Sequence, residues 1–408
     1  MIVLTALLFL STSVQAAGNF KTGWWTDIQK TSQLSQYAAD GNTLVLALSG
    51  GWFTDASGRP VIQRFLDTAQ ANNLKAIVSL VRQNSTPSGI PVEEFVTAVN
   101  TFKNHPALYG WYIGDEPEKY KAGSQITHSY LATDPGYYSL LKSIDPVHPI
   151  MISFDMIYDP YDTYWAKISS FFDVTDLVGM HNYPFWSPTQ YLAEFSGTSM
   201  RTQYDVWKYA LNKTQAAAKS SFIATAQGFG YQSNAAIYRD PTYNELRYQT
   251  FSAIVQGIDH VLFWYDGWSN DTTKGLVKRV IADIQLIGKE MEAGRTNDPA
   301  VNVSIADRDQ LVFRYGSNGT RHVLLAVNIA NRRSASGAAL TNVRFTLPRA
   351  VHASQVEVLD EGRIIPVTDG AFTDSFSRFE VHVYRFVTET AVNSEPPAPP
   401  SGVRVVVE

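Results

Sequence analysis

The chain has no cysteine among its 408 residues. That excludes disulfides, thiolate zinc sites, a cysteine nucleophile and a lipidated N-terminal cysteine. Charge is also sparse: only 17% of residues are Asp, Glu, Lys or Arg, the net charge is −5, and no Lys/Arg cluster marks a nucleic-acid or anionic-membrane partner. The 8 histidines show no HxH or HExxH spacing. This argues against a metal-dependent hydrolase, and neither a metal nor another cofactor is expected. No apparent strand runs into a Gly-rich phosphate loop, which disfavours a doubly wound nucleotide-binding sheet. Long apolar runs are missing too. Met1–Ala16 is too short to span a bilayer, so no membrane span is expected.

What is present is aromatic: 9 Trp, 21 Tyr and 21 Phe, within a hydrophobic fraction of 45%. The apolar Ile2–Leu10 followed by Val14-Gln15-Ala16 reads as a secretory signal over 1–16, lacking the usual positive start, and predicts a secreted or periplasmic protein. Beyond it, strand and helix patterns alternate. Strands are expected at Lys21–Thr26, Thr43–Leu48, Lys75–Leu80, Ala107–Gly114, Pro149–Phe154, Asp176–His181, Ser221–Gln227 and His260–Tyr265. Helical periodicity fills the gaps, as in Val61–Asn72, Arg201–Lys219 and Asn244–Gly257, and Lys274–Glu292 would close the set. Short apolar strands separated by helices mean parallel βαβ units, and eight of them mean a (β/α)₈ TIM barrel over 17–297. From about Ala300 the period changes to alternation with Gly, Asn and Asp turns, predicting an antiparallel β-sandwich over 298–389. Glu395-Pro-Pro-Ala-Pro-Pro-Ser-Gly402 is a proline-rich linker, and Val403–Val407 reads as the start of a further domain, so 390–408 is set apart.

The barrel is organised around Ala107-Leu-Tyr-Gly-Trp-Tyr-Ile-Gly-Asp-Glu-Pro-Glu118. Its first half has the composition of a strand buried on both faces. Gly110 and Gly114, four apart, are expected on one crowded face. Pro117 ends the strand and fixes Glu116 at its carboxyl end, where α/β barrels keep their chemistry. The other strand ends supply Trp24 and Asp27, Trp52, Arg82, Asp155, then His181-Asn182-Tyr183 with Trp186, Gln227 with Tyr231, and Trp264 with Asp266 and Trp268. Each alone has a plain structural role, as core aromatic or helix cap. Together they set apolar rings among hydrogen-bonding groups at one rim, which suits the apolar faces and hydroxyl edge of a pyranose. A carbohydrate is therefore the expected partner.

Asp115-Glu116-Pro117 at a fourth strand resembles the Asn-Glu-Pro of clan A glycoside hydrolases. The sixth strand end with His181, the Phe263-Trp264-Tyr265 eighth strand and the trailing sandwich are similar to that clan, over about residues 19–388. The resemblance implies a glycoside hydrolase with Glu116 as acid/base. Asp115 stands where the clan has Asn, and a second carboxylate there would raise the pKa of Glu116 if both are partly desolvated. Gln227 stands where the clan carries its nucleophilic Glu, and an amide cannot attack an anomeric carbon. Three readings stay open. The second carboxylate comes from elsewhere, with Asp155, Asp266 and Asp27 as candidates in that order. Gln227 is a substitution introduced to trap a substrate. Or the barrel binds glycan without cleaving it.

Overall fold

The computed structural model describes residues 20–48, 58–80, 92–117, 136–155, 168–184, 199–216, 221–230, 239–305, 308–330 and 339–388. Eight parallel strands close into a barrel in sequence order: β1 (Lys21–Asp27), β2 (Leu44–Leu48), β3 (Lys75–Ser79), β4 (Leu108–Asp115), β5 (Ile150–Asp155), β6 (Leu177–His181), β7 (Ser221–Ala226) and β8 (His260–Phe263). The seam is sealed where β1 pairs with β8, Lys21 opposite His260 and Trp24 opposite Phe263. Residues of alternate parity divide between two cores. Leu44, Leu46, Ile77, Met151, Leu177, Ile223 and Leu262 fill the lumen, whereas Val45, Ala76, Val78, Ile152, Val178, Ala224 and Val261 face the helices. Burial on both faces is why these strands read as continuous apolar runs. Helices occupy Val61–Ala71, Val92–Phe102, Tyr137–Ile144, Ser199–Ala216, Tyr243–Ile254 and Asp271–Glu292. Thr242 caps one of them through a capping box with Glu245, and Asn270 caps the last by accepting from the Thr273 N–H at 2.8 Å. No described helix is long and apolar enough to cross a membrane.

Two antiparallel sheets follow. One orders β10 (Asn302–Ser304), β13 (Leu340–Thr346) and β16 (Ala371–Phe376). The other runs β15 (Arg363–Pro366), β14 (Gln355–Val358), β17 (Val381–Val387), β12 (Arg321–Asn328), β11 (Leu311–Asn318) and β9 (Arg295–Thr296). Between the sheets lie Phe345, Phe372, Phe376 and Tyr384. The β12 run is buried on both sides. Leu324 and Ala326 face the sandwich core, while Val323, Leu325 and Val327 join the barrel's outer core. Arg321 on this strand reaches Glu290 at 2.5 Å, and buried Arg247 lies 3.8 Å from Asp283 and 3.9 Å from Asp360. Strand β16 was not expected from sequence: Ala-Phe-Thr-Asp-Ser-Phe mixes Asp and Ser into a short run, and its pairing with β13 supplies what propensity does not. The expected signal segment, the proline-rich tail, Trp52, Arg82, Trp186 and Tyr231 lie outside the described residues.

Candidate active site

The site begins with a fault in the ladder. Strand β4 pairs Tyr112 with Met151 and then Gly114 with Ile152, so Ile113 is an extra residue, a β-bulge. The extra residue reverses parity downstream. Gly114 now faces the outer layer, where an added Cβ would sit 3.3 Å from Ile152 Cγ2. The expectation that Gly110 and Gly114 share a face is corrected for this reason. Asp115 becomes the partner of inward-facing Ser153, and Tyr112 donates to its Oδ1 at 2.7 Å. Burial first, then the Asp115 charge, pushes the Tyr112 phenol well above its ordinary pKa, so it stays a donor.

Glu116 follows with φ 46°, the left-handed region that a non-glycine residue occupies only when its surroundings hold it there. Its N–H donates to the Ser153 carbonyl at 2.8 Å, and Pro117 stops the strand behind it. Its Oε1 lies 3.3 Å from His181 Nδ1; Glu116 is partly open to solvent and His181 is buried. The other ring nitrogen, Nε2, lies 2.5 Å from Ser153 Oγ. Burial opposes charging His181, but the hydrogen bond to Glu116 and the charges of Glu116, Asp115 and Asp155 outweigh it, so its pKa is raised. Asp155 is buried, and its Cα pairs with that of His181. Alternation from Met151 and Ser153 gives Asp155 the same inward face. Asp115, Glu116 and His181 each present a ligand-type atom within 4.8 Å of the others. Within that grouping Glu116 and His181 are in direct contact, and Asp115 is held by Tyr112.

Rings pack directly around His181. Trp25 meets His181 edge-on at 4.9 Å and 88°, and Trp264 lies 4.9 Å from both. Tyr183 approaches Phe229 at 5.2 Å, Phe229 approaches Trp268 at 5.3 Å, and Trp268 is 38% exposed at the outer end. The rings thus grade from fully buried Trp25 to an open indole, and each pair adds about 0.5–1.5 kcal/mol beyond area burial.

Several expected site residues take other posts. Trp24 is buried on the outward face of β1, 5.5 Å from Phe263, so it is not at the mouth; Trp25 holds the inward place. Asp266 is fully buried and faces Lys30 Nζ at 3.4 Å, and its charge also bears on Tyr37. Asp27 caps a local turn through the Gln29 N–H at 2.9 Å. The Asn182 carbonyl accepts from Gln203 at 3.2 Å. Gln227 is fully buried, and its amide donates to the carbonyls of Phe229 at 3.0 Å and Arg239 at 3.2 Å. Gln249 clamps its backbone, accepting from the Gln227 N–H at 2.8 Å and donating to its carbonyl at 3.3 Å. Sequence reasoning missed Trp25, Tyr112, Ser153 and Phe229. For Trp25 the strand parity shared with Gly23 was an available signal; for Ser153 there was none.

No protein-family model matches the sequence, and no curated protein does. Solved structures do match. CelM2, a bifunctional glucanase-xylanase from a metagenome library, superposes with TM-score 0.59 at 9% identity, over 92% of this chain and 97% of its own. A family 5 glycoside hydrolase from Bacteroides vulgatus gives 0.57 at 10% identity, over 90% and 89%. The chain shares with these glycoside hydrolases the fold of a (β/α)₈ barrel followed by a β-sheet domain. An alpha-amylase from Geobacillus thermoleovorans matches over its whole length, at TM-score 0.54, 9% identity and 92% of this chain. In this barrel Glu116 directly follows the fourth strand and Gln227 the seventh.

Proposed function

We propose that the protein is a secreted glycoside hydrolase that cleaves O-glycosidic bonds of a polysaccharide or oligosaccharide, with Glu116 as general acid/base. The observation that carries this reading is the Glu116–His181 pair at 3.3 Å, set at the carboxyl end of the barrel beside a graded wall of rings. A carboxyl group partly open to solvent can reach a glycosidic oxygen. His181, buried behind it, holds its orientation and exchanges a proton with it. Asp115, tied to Tyr112, tunes the pair or binds a sugar hydroxyl. Asp155 is the second carboxylate of this scheme, since Asp266 is engaged by Lys30 and Asp27 by its own turn. Trp264, Tyr183 and Trp268 present faces and edges for the sugar, with Trp268 the stacking platform at the entrance.

The test is turnover of a glycan panel by the wild type and by Glu116→Gln, with unfolding curves for both and product stereochemistry followed by NMR. Turnover by the wild type that is lost in a folded Glu116→Gln supports the assignment; equal turnover removes Glu116 from the mechanism. A second reading, a glycan-binding barrel without activity, draws on the commitment of the Gln227 amide to two loop carbonyls. Saturable quenching of tryptophan fluorescence by a glycan that is never cleaved would select it.

A further inference from the structure

Ser153 touches both halves of the acid–imidazole pair. Its carbonyl accepts the Glu116 N–H at 2.8 Å, and its Oγ lies 2.5 Å from His181 Nε2. We propose that Ser153 is the positioning residue of this site, fixing the His181 ring so that Nδ1 faces Glu116 and keeping Nε2 hydrogen-bonded in every protonation state. The inference rests on the glycosidase reading only for its kinetic consequence.

Three features support it. First, the bulge at Ile113 brings Asp115 opposite Ser153 and places the Glu116 N–H on the Ser153 carbonyl, so β4 and β5 are keyed to each other at this residue. Second, β6 makes room for the hydroxyl. A Cβ on Gly179 would stand 3.0 Å from Ser153 Oγ and 2.4 Å from Met151 Cε, so a larger residue there would crowd the hydroxyl that faces His181. Third, His181 is 1% exposed, with Trp25 edge-on from β1, Trp264 from beyond β8 and Tyr183 two residues ahead. Among the described residues, the charged groups facing it are Asp115 at the end of β4, Glu116 just past it and Asp155 from β5.

A hydroxyl is suited to this post because it both donates and accepts. When the ring is charged, Nε2–H donates to Ser153 Oγ while Nδ1–H donates to the Glu116 carboxylate. When the ring is neutral with its proton on Nδ1, the Ser153 hydroxyl donates to Nε2. When Glu116 carries the proton, Nδ1 accepts it and Nε2–H again donates to Oγ. An alanine supports none of these, and it leaves a buried nitrogen without its partner.

Ser153→Ala keeps the backbone carbonyl and deletes only the hydroxyl; Ser153→Thr restores it. The His181 ring is followed by NMR of histidine-labelled protein, with His181→Gln assigning its resonances, and kcat/KM is followed against pH on a cleaved glycan. Charged His181 loses an acceptor in Ser153→Ala, so its titration midpoint falls by about 1 pH unit. The alkaline limb of kcat/KM falls with it, KM changes less than about threefold while kcat carries the loss, and Ser153→Thr returns all three. An unchanged His181 midpoint in folded Ser153→Ala, or a loss of equal size at every pH, overturns the assignment. If no glycan is cleaved by the wild type, the glycosidase reading fails, and the NMR titration still decides the role of Ser153.

Discussion

Gln227→Glu is the substitution on which the two functional readings part. The wild-type amide donates to the Phe229 and Arg239 carbonyls at 3.0 and 3.2 Å in a fully buried position. A carboxylate there donates to neither and faces two carbonyl oxygens. The new carboxyl therefore takes up a proton on folding, and its O–H satisfies one carbonyl while the other is stranded at about 1–3 kcal/mol. Its folded pKa is raised above the unfolded value of about 4.3. The sign follows from that: below the unfolded pKa the ionisation penalty is absent, and it grows by about 1.4 kcal/mol per pH unit until the folded pKa is reached. With a folded value raised by about 2–3 units, the total loss is about 1–3 kcal/mol near pH 4 and about 4–7 kcal/mol near pH 8. Urea unfolding followed by tryptophan fluorescence across that range reads it directly. Equal destabilisation at both ends refutes the reasoning. So does a gain of retaining glycosidase activity without loss of stability, because the side chain would then have left the loop carbonyls for the barrel mouth.

Three further outcomes are expected. Glu116→Gln lowers turnover by about 10²–10⁴-fold, measured on the natural glycan, in a protein that still unfolds cooperatively. Trp25→Ala, in the fully buried ring of the wall, costs about 3–5 kcal/mol by urea unfolding, whereas Trp268→Ala costs less than about 1 kcal/mol and removes glycan-induced fluorescence quenching. In the sandwich, burial opposes charging His382, but Asp374, Glu380 and Glu361 outweigh it and raise its pKa. Its stabilising contribution is then full below about pH 6.5 and lost as pH rises through the folded value. A wild-type minus His382→Gln stability difference that grows on the alkaline side would contradict this.

Much of the barrel could be read from sequence because its signals are redundant: eight apolar runs, helical periods between them and a change of period after Ala300. The site was readable only in part. Glu116 announced itself through Pro117, which needs no partner to end a strand. The inward face of Asp115 depended on a bulge at Ile113, and a single inserted residue in a ladder has no compositional signature. Trp24 and Trp25 are adjacent and chemically identical, so only the absolute parity of β1 separates a shell residue from a mouth residue. Gln227 was placed at the end of β7, but the loop carbonyls that bind its amide come from Phe229 and from Arg239, twelve residues on, and local sequence is silent about them.

The seam between β1 and β8 sets a condition on how the chain comes into existence. Lys21 waits for His260, and the helix Asp271–Glu292 that covers the seam shares its apolar layer with Val323, Leu325 and Val327 of β12. During synthesis the first strand is made long before its second neighbour, and it has one edge unpaired until β8 follows. Meanwhile β2 pairs with its other edge. The sandwich strand that packs over the closing helices comes later still, so the final covering of the barrel waits until β12 has been made. Contacts this distant in sequence slow folding, and an early-made strand with an open edge is a template for wrong pairing. Truncation before β12 should therefore produce a chain that aggregates rather than a free-standing barrel.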